Sequence, residues 1–262
     1  MKPVFIHDKT ELEKFLLERR TVNYYALGDL DDFFWPYTTW FALKDQAEIR
    51  ALVLLYTGGE TPTVLVFGED NQTEMLALVE SIRTLLPQRF YSHFSPGLDA
   101  PLRPYYTFTP GGKHYKMVLT HPEYLDEFDV REVETLTLDS LQELLDFYTV
   151  SYPGNWFDPR MLETGQYFGM RNGDGQIVSV AGIHVYSPKY KIAALGNITT
   201  LPNQRGEGLG TKTVARLCQA LLETVDVIGL NVKADNVAAI HIYQKLGFEI
   251  VAPYYEYTAD SI

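Results

Sequence analysis

The stretch that decides the fold is Gln204-Arg205-Gly206-Glu207-Gly208-Leu209-Gly210-Thr211, in which glycine occupies alternate positions. Before it, Ile192–Thr200 is short, apolar and rich in β-branched residues, a pattern typical of a buried strand. After it, apolar residues recur at the three- and four-residue spacings of an amphipathic helix, namely Leu209, Val214, Leu217, Cys218, Leu221 and Leu222. Because glycines at a helix start leave its first N–H groups uncovered, this turn predicts an anion site suited to a phosphate.

The spacing of these glycines restricts the kind of site. Gly206-x-Gly208-x-Gly210 differs from the Gly-x-Gly-x-x-Gly turn of dinucleotide-binding folds, and no Gly-Lys-Ser/Thr sequence ends the loop as in a P-loop. Taken alone, the segment is also compatible with a glycine-rich turn that binds nothing. A second motif is needed to choose between these interpretations.

A second strand and helix follow the first pair. Ile228–Val232 is apolar enough for a buried strand. Asp235 or Asn236 can cap a helix that runs to Leu246, where Gly247 suits a left-handed C-terminal cap. The sequence therefore predicts two strand–helix units in succession.

These two segments carry a family resemblance. The residues from Asn236 to Phe248 resemble the Asn-x-x-Ala-x-x-x-Tyr-x-Lys-x-Gly-Phe motif of the GNAT family of N-acetyltransferases. Arg205–Gly210 resembles the Arg/Gln-x-x-Gly-x-Gly/Ala signature of the same family. The resemblance extends from near Leu136 to the end of the chain. It implies the acyl-CoA N-acyltransferase fold, an α/β (α+β) architecture with a mixed, twisted sheet flanked by helices.

The resemblance also implies a cosubstrate, acetyl-CoA, and the residues that bind it. Main-chain groups of the strand before the glycine loop would hold the pantetheine arm and the acetyl carbonyl; by position these are Ile198, Thr199 and Thr200. The pyrophosphate turn would be formed by Arg205, Gly206, Gly208, Leu209, Gly210 and Thr211. Asn236 would bond the pantetheine arm, the alternative being a plain helix N-cap.

One catalytic side chain follows from the resemblance, Tyr243, whose hydroxyl would protonate the coenzyme thiolate. A phenol with a pKa of about 10 is protonated at neutral pH, and the alternative role is to anchor its helix to the core. No general base is assigned. Asn231 stands where some family members carry a glutamate. His184 could point into the cleft, but a histidine in such a strand is more often a satisfied strand residue. A water relay, or an amine that arrives neutral, would need no base.

Composition and charge exclude several classes of protein. The chain has 262 residues with 22 basic and 34 acidic side chains, a net charge of −12, which argues against nucleic-acid binding. A single cysteine excludes an internal disulfide, and no Cys/His cluster has the spacing of a zinc site, so no metal is expected. The N-terminus lacks the apolar core of a signal peptide, and no apolar run approaches membrane-spanning length. We therefore expect a cytoplasmic protein without a membrane partner, as a monomer or a homodimer.

The order of predicted elements repeats along the chain. Trp40–Leu43 corresponds to Tyr167–Met170, and each is followed by a strand, a turn, a strand and a helix. This predicts two domains of similar fold, 1–128 and 129–262, with the acidic, proline-marked segment His121–Asp129 as linker. In place of the glycine loop, the first copy has Gly68-Glu69-Asp70-Asn71, whose carboxylates would repel a pyrophosphate. We therefore expect the first copy to be degenerate.

The predicted function is transfer of an acetyl group from acetyl-CoA to a primary amine of a small molecule or peptide, directly within a ternary complex. Tyr152, Trp156 and Phe157 lie in the loop that roofs the acceptor in the family, and their alternative role is packing. Transfer of a longer acyl group remains open, because Gly182 and Gly196 could leave room at the acyl end. A non-catalytic CoA-binding or interaction module remains open as well.

Overall fold

The chain forms two compact units. The computed structural model describes residues 2–68 and 70–262. Unit 1 comprises the N-terminal segment through Lys116, together with Val232–Asp235 and Ile250–Ile262, and unit 2 comprises Met117–Asn231 and Asn236–Glu249. The chain thus passes from unit 1 to unit 2, returns briefly to unit 1 at Val232–Asp235, and after a second segment of unit 2 ends in unit 1.

The regular elements follow the predicted alternation. The first half contains β1 (Lys2–Ile6), α1 (Lys9–Leu17), α2 (Tyr24–Gly28), β2 (Thr38–Asp45), β3 (Glu48–Tyr56), β4 (Thr63–Val66), α3 (Gln72–Ile82), β5 (Arg89–Phe94) and β6 (Tyr106–Leu119). The second half contains β7 (Glu134–Thr135), α4 (Leu141–Ser151), β8 (Phe168–Arg171), β9 (Ile177–Ser187), β10 (Ile192–Thr200), α5 (Leu209–Leu222), β11 (Val227–Lys233), α6 (Val237–Lys245) and β12 (Phe248–Ser261). Within the described ranges, no helix is both long and apolar enough to cross a membrane.

The strands pair in the same way in both units. In unit 1, β1, β2, β3 and β4 are successively antiparallel, and β4 is parallel to β5. In unit 2, β7, β8, β9 and β10 are successively antiparallel, and β10 is parallel to β11. The order β2–β3–β4–α3–β5 therefore recurs as β8–β9–β10–α5–β11, which confirms the predicted internal repeat and the mixed α/β fold.

Each unit has its own apolar core. In unit 1 this core lies beside α3, which follows β4, and in unit 2 it lies beside α5, which follows β10. In unit 1, α3 contributes Met75, Leu78, Val79 and Ile82 to a cluster with Phe90 and Phe94 of β5. In unit 2, α5 buries the middle of its predicted stripe, with Val214, Leu217, Cys218 and Leu221 each at most 1% exposed, whereas Leu222 at its end is 40% exposed. Burial raises the pKa of the Cys218 thiol well above its usual value, so this side chain is an inert core residue.

The final strand pairs differently from the prediction. We expected Phe248–Tyr257 to return beside Ile228–Val232, and this is wrong. The segment from Tyr255 to Asp260 pairs antiparallel with β5, and the neighbours of β12 in the sheet are β5 and β6. The alternating pattern of β12 indicates that one face is buried, but it carries no information about which strand lies beside it.

The predicted linker is also wrong. Pro122–Glu127 is a 3-10 helix in which Leu125 is 1% exposed, and the Leu125 carbonyl accepts a hydrogen bond of 3.1 Å from Gln219 Nε2 of α5. The segment is therefore packed within unit 2, and the units divide after Lys116, inside β6. Proline and acidic residues indicated irregular backbone here, but irregular backbone is not always exposed.

Candidate active site

The strands β10 and β11 are paired along only part of their length. Ile192–Leu195 pairs in parallel with Val227–Leu230, and β10 continues to Thr200. Beyond Leu195, the hydrogen-bonded partners of β10 lie on β9. The edge of β10 that faces β11 is thus left open beside Ile198, Thr199 and Thr200, where an extended chain such as pantetheine could bond to main-chain groups.

A bulge at Asn197 marks the start of this gap. The pairing of β10 with β9 shifts register after Gly196, and Asn197 has φ of +54°, a left-handed conformation that Asn tolerates better than most residues. Its side chain is held from two sides, because Nδ2 donates to the Tyr167 hydroxyl at 2.8 Å and Oδ1 accepts from Asn155 Nδ2 at 3.2 Å. The Tyr148 hydroxyl donates to the Asn197 carbonyl at 3.0 Å. The bulge is therefore fixed by side-chain hydrogen bonds, a feature that the sequence analysis missed.

The glycine turn is open at its surface. Gly206 and Gly208 have φ of +87° and +80°, and a Cβ on either would meet no heavy atom within 4 Å. Gly208 is the N-cap of α5, and its carbonyl accepts the first intrahelical bond, from the Lys212 N–H at 3.1 Å. The N–H groups of Leu209, Gly210 and Thr211 therefore precede the helical ladder and are oriented to meet an anion.

The remaining predicted residues of this turn lie against the end of β10. Arg205 Nε donates to the Thr200 carbonyl at 3.1 Å, so this arginine links the glycine turn to the end of β10. Gly210 approaches the same residue closely, since a Cβ on it would lie 3.2 Å from Thr200 Oγ1. Glu207 is exposed, so its carboxylate is screened by solvent and detracts little from an anion site.

Asn236 is placed as a helix N-cap. Its Oδ1 accepts the Ala239 N–H at 3.2 Å, which is the alternative role that the sequence left open. Only its Nδ2 group could then bond pantetheine. Beside it, Val237 is 64% exposed, so the start of α6 presents an apolar side chain to solvent.

Tyr243 is buried on the inner face of α6. It is 9% exposed, and its ring lies edge-on to Phe248 with centroids 5.9 Å apart. Burial, with Tyr152 and Cys218 nearby, raises the pKa of its hydroxyl well above the usual value. The phenol therefore keeps its proton throughout the physiological range, and its position near Tyr152 brings the end of α4 close to it.

The two glycines that suggested space for a longer acyl group are covered. A Cβ on Gly182 would lie 2.3 Å from the Tyr167 ring, and a Cβ on Gly196 would lie 2.3 Å from the His184 ring. These glycines accommodate neighbouring rings, so the interpretation that they leave room for a longer chain is wrong. Burial lowers the pKa of His184 to about 4, against the opposing effect of its hydrogen bond with Asn197. His184 is therefore neutral at physiological pH.

The equivalent region of unit 1 is closed. β4 and β5 are paired up to Val66 and Phe94, where both strands end, and the Ser95 N–H donates to the Val66 carbonyl at 2.9 Å. The Gly68 N–H in turn donates to Ser95 Oγ at 3.3 Å. A Cβ on Gly68 would lie 2.4 Å from Met75 Cγ, so this glycine lies beneath α3. No gap like that between β10 and β11 separates these two strands in the part of unit 1 that the structure describes.

The acidic start of α3 is described only in part. Asp70 lies 3.1 Å from Arg19 in an exposed ion pair, and Glu69, the other predicted carboxylate, lies outside the described residues. Among the residues that the structure describes, no group of three or more His, Cys, Asp or Glu side chains could hold a metal ion.

Comparison with solved structures identifies the class of fold. The chain superimposes on a GNAT-family acetyltransferase from Colwellia psychrerythraea with a TM-score of 0.57 and 14% identity, covering 98% of this chain and 99% of that one. It also matches a tandem GNAT protein from the clavulanic acid biosynthesis pathway, with a TM-score of 0.56, 15% identity and 99% and 98% coverage. At these identities the likeness shows the fold, which is that of GNAT acetyltransferases in two similar halves.

Comparison of sequences gives a family match over part of the chain. Residues 132–248 match the model of the acetyltransferase (GNAT) family. The mycothiol acetyltransferase of Tsukamurella paurometabola is 31% identical over 97 residues, which are 36% of this chain. The match spans 33% of that relative, about a third of its length.

Proposed function

We propose that unit 2 transfers an acetyl group from acetyl-CoA to a primary amine of a small molecule or peptide, directly within a ternary complex. The observation that carries this proposal is the combination of a gap between β10 and β11 with an open glycine turn at the start of α5. The names of the relatives support it, since both the sequence relative and the structural neighbours are acetyltransferases. Transfer of the acetyl group, rather than of a longer acyl group, agrees with the covered glycines at the acyl end.

The residues around the gap would hold different parts of acetyl-CoA. The pantetheine arm would bond to main-chain groups of Ile198, Thr199 and Thr200 that are not already used by β9 or by Arg205, along the open edge of β10. The pyrophosphate would be bound by the turn formed of Arg205, Gly206, Gly208, Leu209, Gly210 and Thr211. Asn236 would contribute its Nδ2 group. In this arrangement most donors to phosphate are main-chain N–H groups, which is why glycine suits these positions.

The reaction needs one proton to be lost and one to be supplied. The thioester provides the acetyl group; a C–N bond forms to the amine, the C–S bond breaks, the nitrogen gives up one proton and the sulfur gains one. Tyr243 holds a proton at the end of α6 and is the side chain that we assign to the sulfur. A thiol in water has a pKa of about 8.5, below that of the Tyr243 phenol, so a thiolate in water would not take the proton. The transfer becomes favourable only where burial raises the pKa of the thiol as much as it raises that of the phenol.

The competing function is a non-catalytic CoA-binding module. Asn231 in the position of a family glutamate, and a histidine too weakly basic to replace it, are the observations that favour this alternative. Binding alone would require the glycine turn but not Tyr243. A substitution at Tyr243 therefore distinguishes the two functions, whereas a substitution at Gly208 should impair both.

Binding of acetyl-CoA is tested by a matched pair of substitutions at Gly208. Asn and Asp both tolerate the left-handed conformation at an N-cap, and the site has space for either side chain. Gly208→Asp places a carboxylate among donors to phosphate, where repulsion of about 4 kcal/mol at 4 Å weakens binding by about 100-fold or more. Gly208→Asn should stay within about fivefold of the original protein, because Asn brings no charge to the turn. Isothermal titration measures both, and equal affinities for the two variants would contradict the assignment of this turn to pyrophosphate.

A further inference from the structure

A groove lies between α4 and the loop that follows it. Its volume is about 230 Å³. The residues that line it all belong to these two segments and are Leu145, Tyr148, Thr149, Tyr152, Pro153, Gly154, Asn155 and Phe157. None of these side chains is a carboxylate or a basic group, so the groove combines apolar and aromatic walls with hydroxyl and amide groups.

The groove adjoins the proposed reaction centre at three of its lining residues. Tyr148 donates its hydroxyl proton to the Asn197 carbonyl, and Asn155 donates to Asn197 Oδ1. Tyr152 lies near the Tyr243 hydroxyl. A molecule seated in the groove would therefore touch two side chains that bond to the bulge of β10 and one, Tyr152, that acts electrostatically on the proposed acid.

Of the carboxylates near the groove, the exposed Asp146 of α4 accepts a hydrogen bond of 3.1 Å from Gln142 Nε2, whereas Asp158 and Glu143 are paired with arginines. Asp158, next to Phe157, accepts a hydrogen bond of 3.0 Å from Arg160 Nε, and this lowers its pKa. On α4, Glu143 accepts hydrogen bonds of 2.6 and 2.7 Å from Arg171 Nη1. Since the negative charge of Asp158 and Glu143 is offset, these two groups offer little attraction to a second cationic group of a substrate.

We propose that this groove binds the apolar body of the acceptor, so that the substrate is a monoamine whose amino group is carried close to an aromatic ring or a branched aliphatic group. The proposal rests on the acetyl-transfer function proposed for unit 2. A cavity of about 150 Å³ suffices for benzene, so a groove of about 230 Å³ admits a somewhat larger ring or chain. Polyamines and aminoglycosides, which carry several cations, would find no unpaired carboxylate among the lining residues.

The same groove accounts for the lack of an assigned base. An ammonium group that enters apolar surroundings loses hydration, and this lowers its pKa. The amine then releases its extra proton to solvent as it binds and arrives as the neutral nucleophile. Neither Asn231 nor the weakly basic His184 has to accept a proton before the C–N bond forms.

The test compares two amines and two substitutions at Thr149, an exposed residue of α4 that lines the groove. The original protein should use 2-phenylethylamine with a kcat/KM at least about 30-fold above that for putrescine, because only the first amine buries a ring. Thr149→Glu should lower kcat/KM for 2-phenylethylamine by about tenfold relative to Thr149→Gln and raise it for putrescine, since these variants differ only in charge. The affinity for acetyl-CoA should be equal in both variants.

A preference for putrescine, or equal kinetics of the Glu and Gln variants, would overturn the proposal. Titration of 2-phenylethylamine into the CoA-bound protein distinguishes this failure from that of acetyl transfer itself. If 2-phenylethylamine binds but is not acetylated, the proposal of acetyl transfer fails, and the groove remains the proposed amine site. If 2-phenylethylamine does not bind but a polar amine is acetylated, the groove is not the amine site, and the proposal of acetyl transfer stands.

Discussion

At the residue scale, Tyr243 packs against Phe248, and we propose that it also donates a proton; the two roles can be tested separately. Tyr243→Phe keeps the ring against Phe248 and removes only the hydroxyl. We expect the rate of acetyl transfer to fall by about 10²–10⁴-fold, the usual contribution of a positioned acid, with acetyl-CoA affinity unchanged. Burial raises the pKa of this phenol, so its protonated form persists as pH rises, and the rate should not decline between about pH 7 and 9.5 through loss of this proton. Pre-steady-state rates and titrations of both proteins over this range provide the measurement.

An unchanged rate in this variant would assign the proton to water or to another donor. Tyr243 would then be a packing residue of α6. A variant that binds acetyl-CoA with normal affinity also shows that the fold is intact, which serves as the control for stability. Original protein that binds acetyl-CoA but acetylates no amine in a broad panel would favour the non-catalytic module.

Also at the residue scale, the sequence predicted the glycine turn better than the bulge. Gly206 and Gly208 have the positive φ values that glycines in such a turn suggest. Asn197 was not predicted, although it is a polar residue that follows Gly196 within an apolar strand. Its left-handed backbone is compensated by Tyr167, Asn155 and Tyr148, which are 30, 42 and 49 residues away in sequence. Contacts at such separations leave no local pattern.

At the scale of elements, strand and helix positions were largely predictable and strand partners were not. β10 spans Ile192–Thr200, the predicted range, because its residues are buried on both sides and bounded by Pro202. β1 and α2 were missed, since Lys2–Ile6 is mostly exposed and Tyr24–Gly28 is only five residues long. The partner of β12 depends on contacts with β5, more than 150 residues earlier in the chain. Periodicity therefore predicts that an element exists, whereas topology requires long-range pairing.

The pairing of β12 predicts the effect of a C-terminal truncation. Removal of residues 250–262 takes away the strand that covers one edge of β5, together with Ala259, which is buried in the core of unit 1. Hydrogen exchange of the β5 amides that bond to β12 should then accelerate by at least about tenfold, because these N–H groups lose their acceptors. A control that lacks only Ile262 keeps the pairs from Tyr255 to Asp260. Equal protection of Arg89–Phe94 in the two proteins would mean that β12 does not stabilise unit 1.

At the scale of the whole molecule, the two copies of the fold differ in whether the parallel strands separate, in the part of the chain that the structure describes. In unit 2, β10 and β11 separate beside a turn in which Gly206 and Gly208 face open space. In unit 1, β4 and β5 stay paired to their ends, and Gly68 is covered by Met75. The repeated order of elements was predictable from the sequence. The acidic residues after β4 predicted that the first copy would not bind the cofactor, but they did not predict that its strands stay closed. Two hydrogen bonds of Ser95, from its N–H to the Val66 carbonyl and from the Gly68 N–H to its hydroxyl, occupy the place where the strands would separate.

This asymmetry predicts the stoichiometry of cofactor binding. Isothermal titration should give one acetyl-CoA per chain, because a second molecule would have to break the Ser95 bonds and displace Met75 from Gly68. A net charge of −12 also disfavours weak, non-specific binding of a polyanion elsewhere on the surface. Because its affinity should be lower by about 100-fold or more, Gly208→Asp should leave little acetyl-CoA bound at concentrations that just saturate the original protein, with no second site of normal affinity. Two equivalents in the original protein, or one equivalent that persists in the variant, would place a working cofactor site in unit 1.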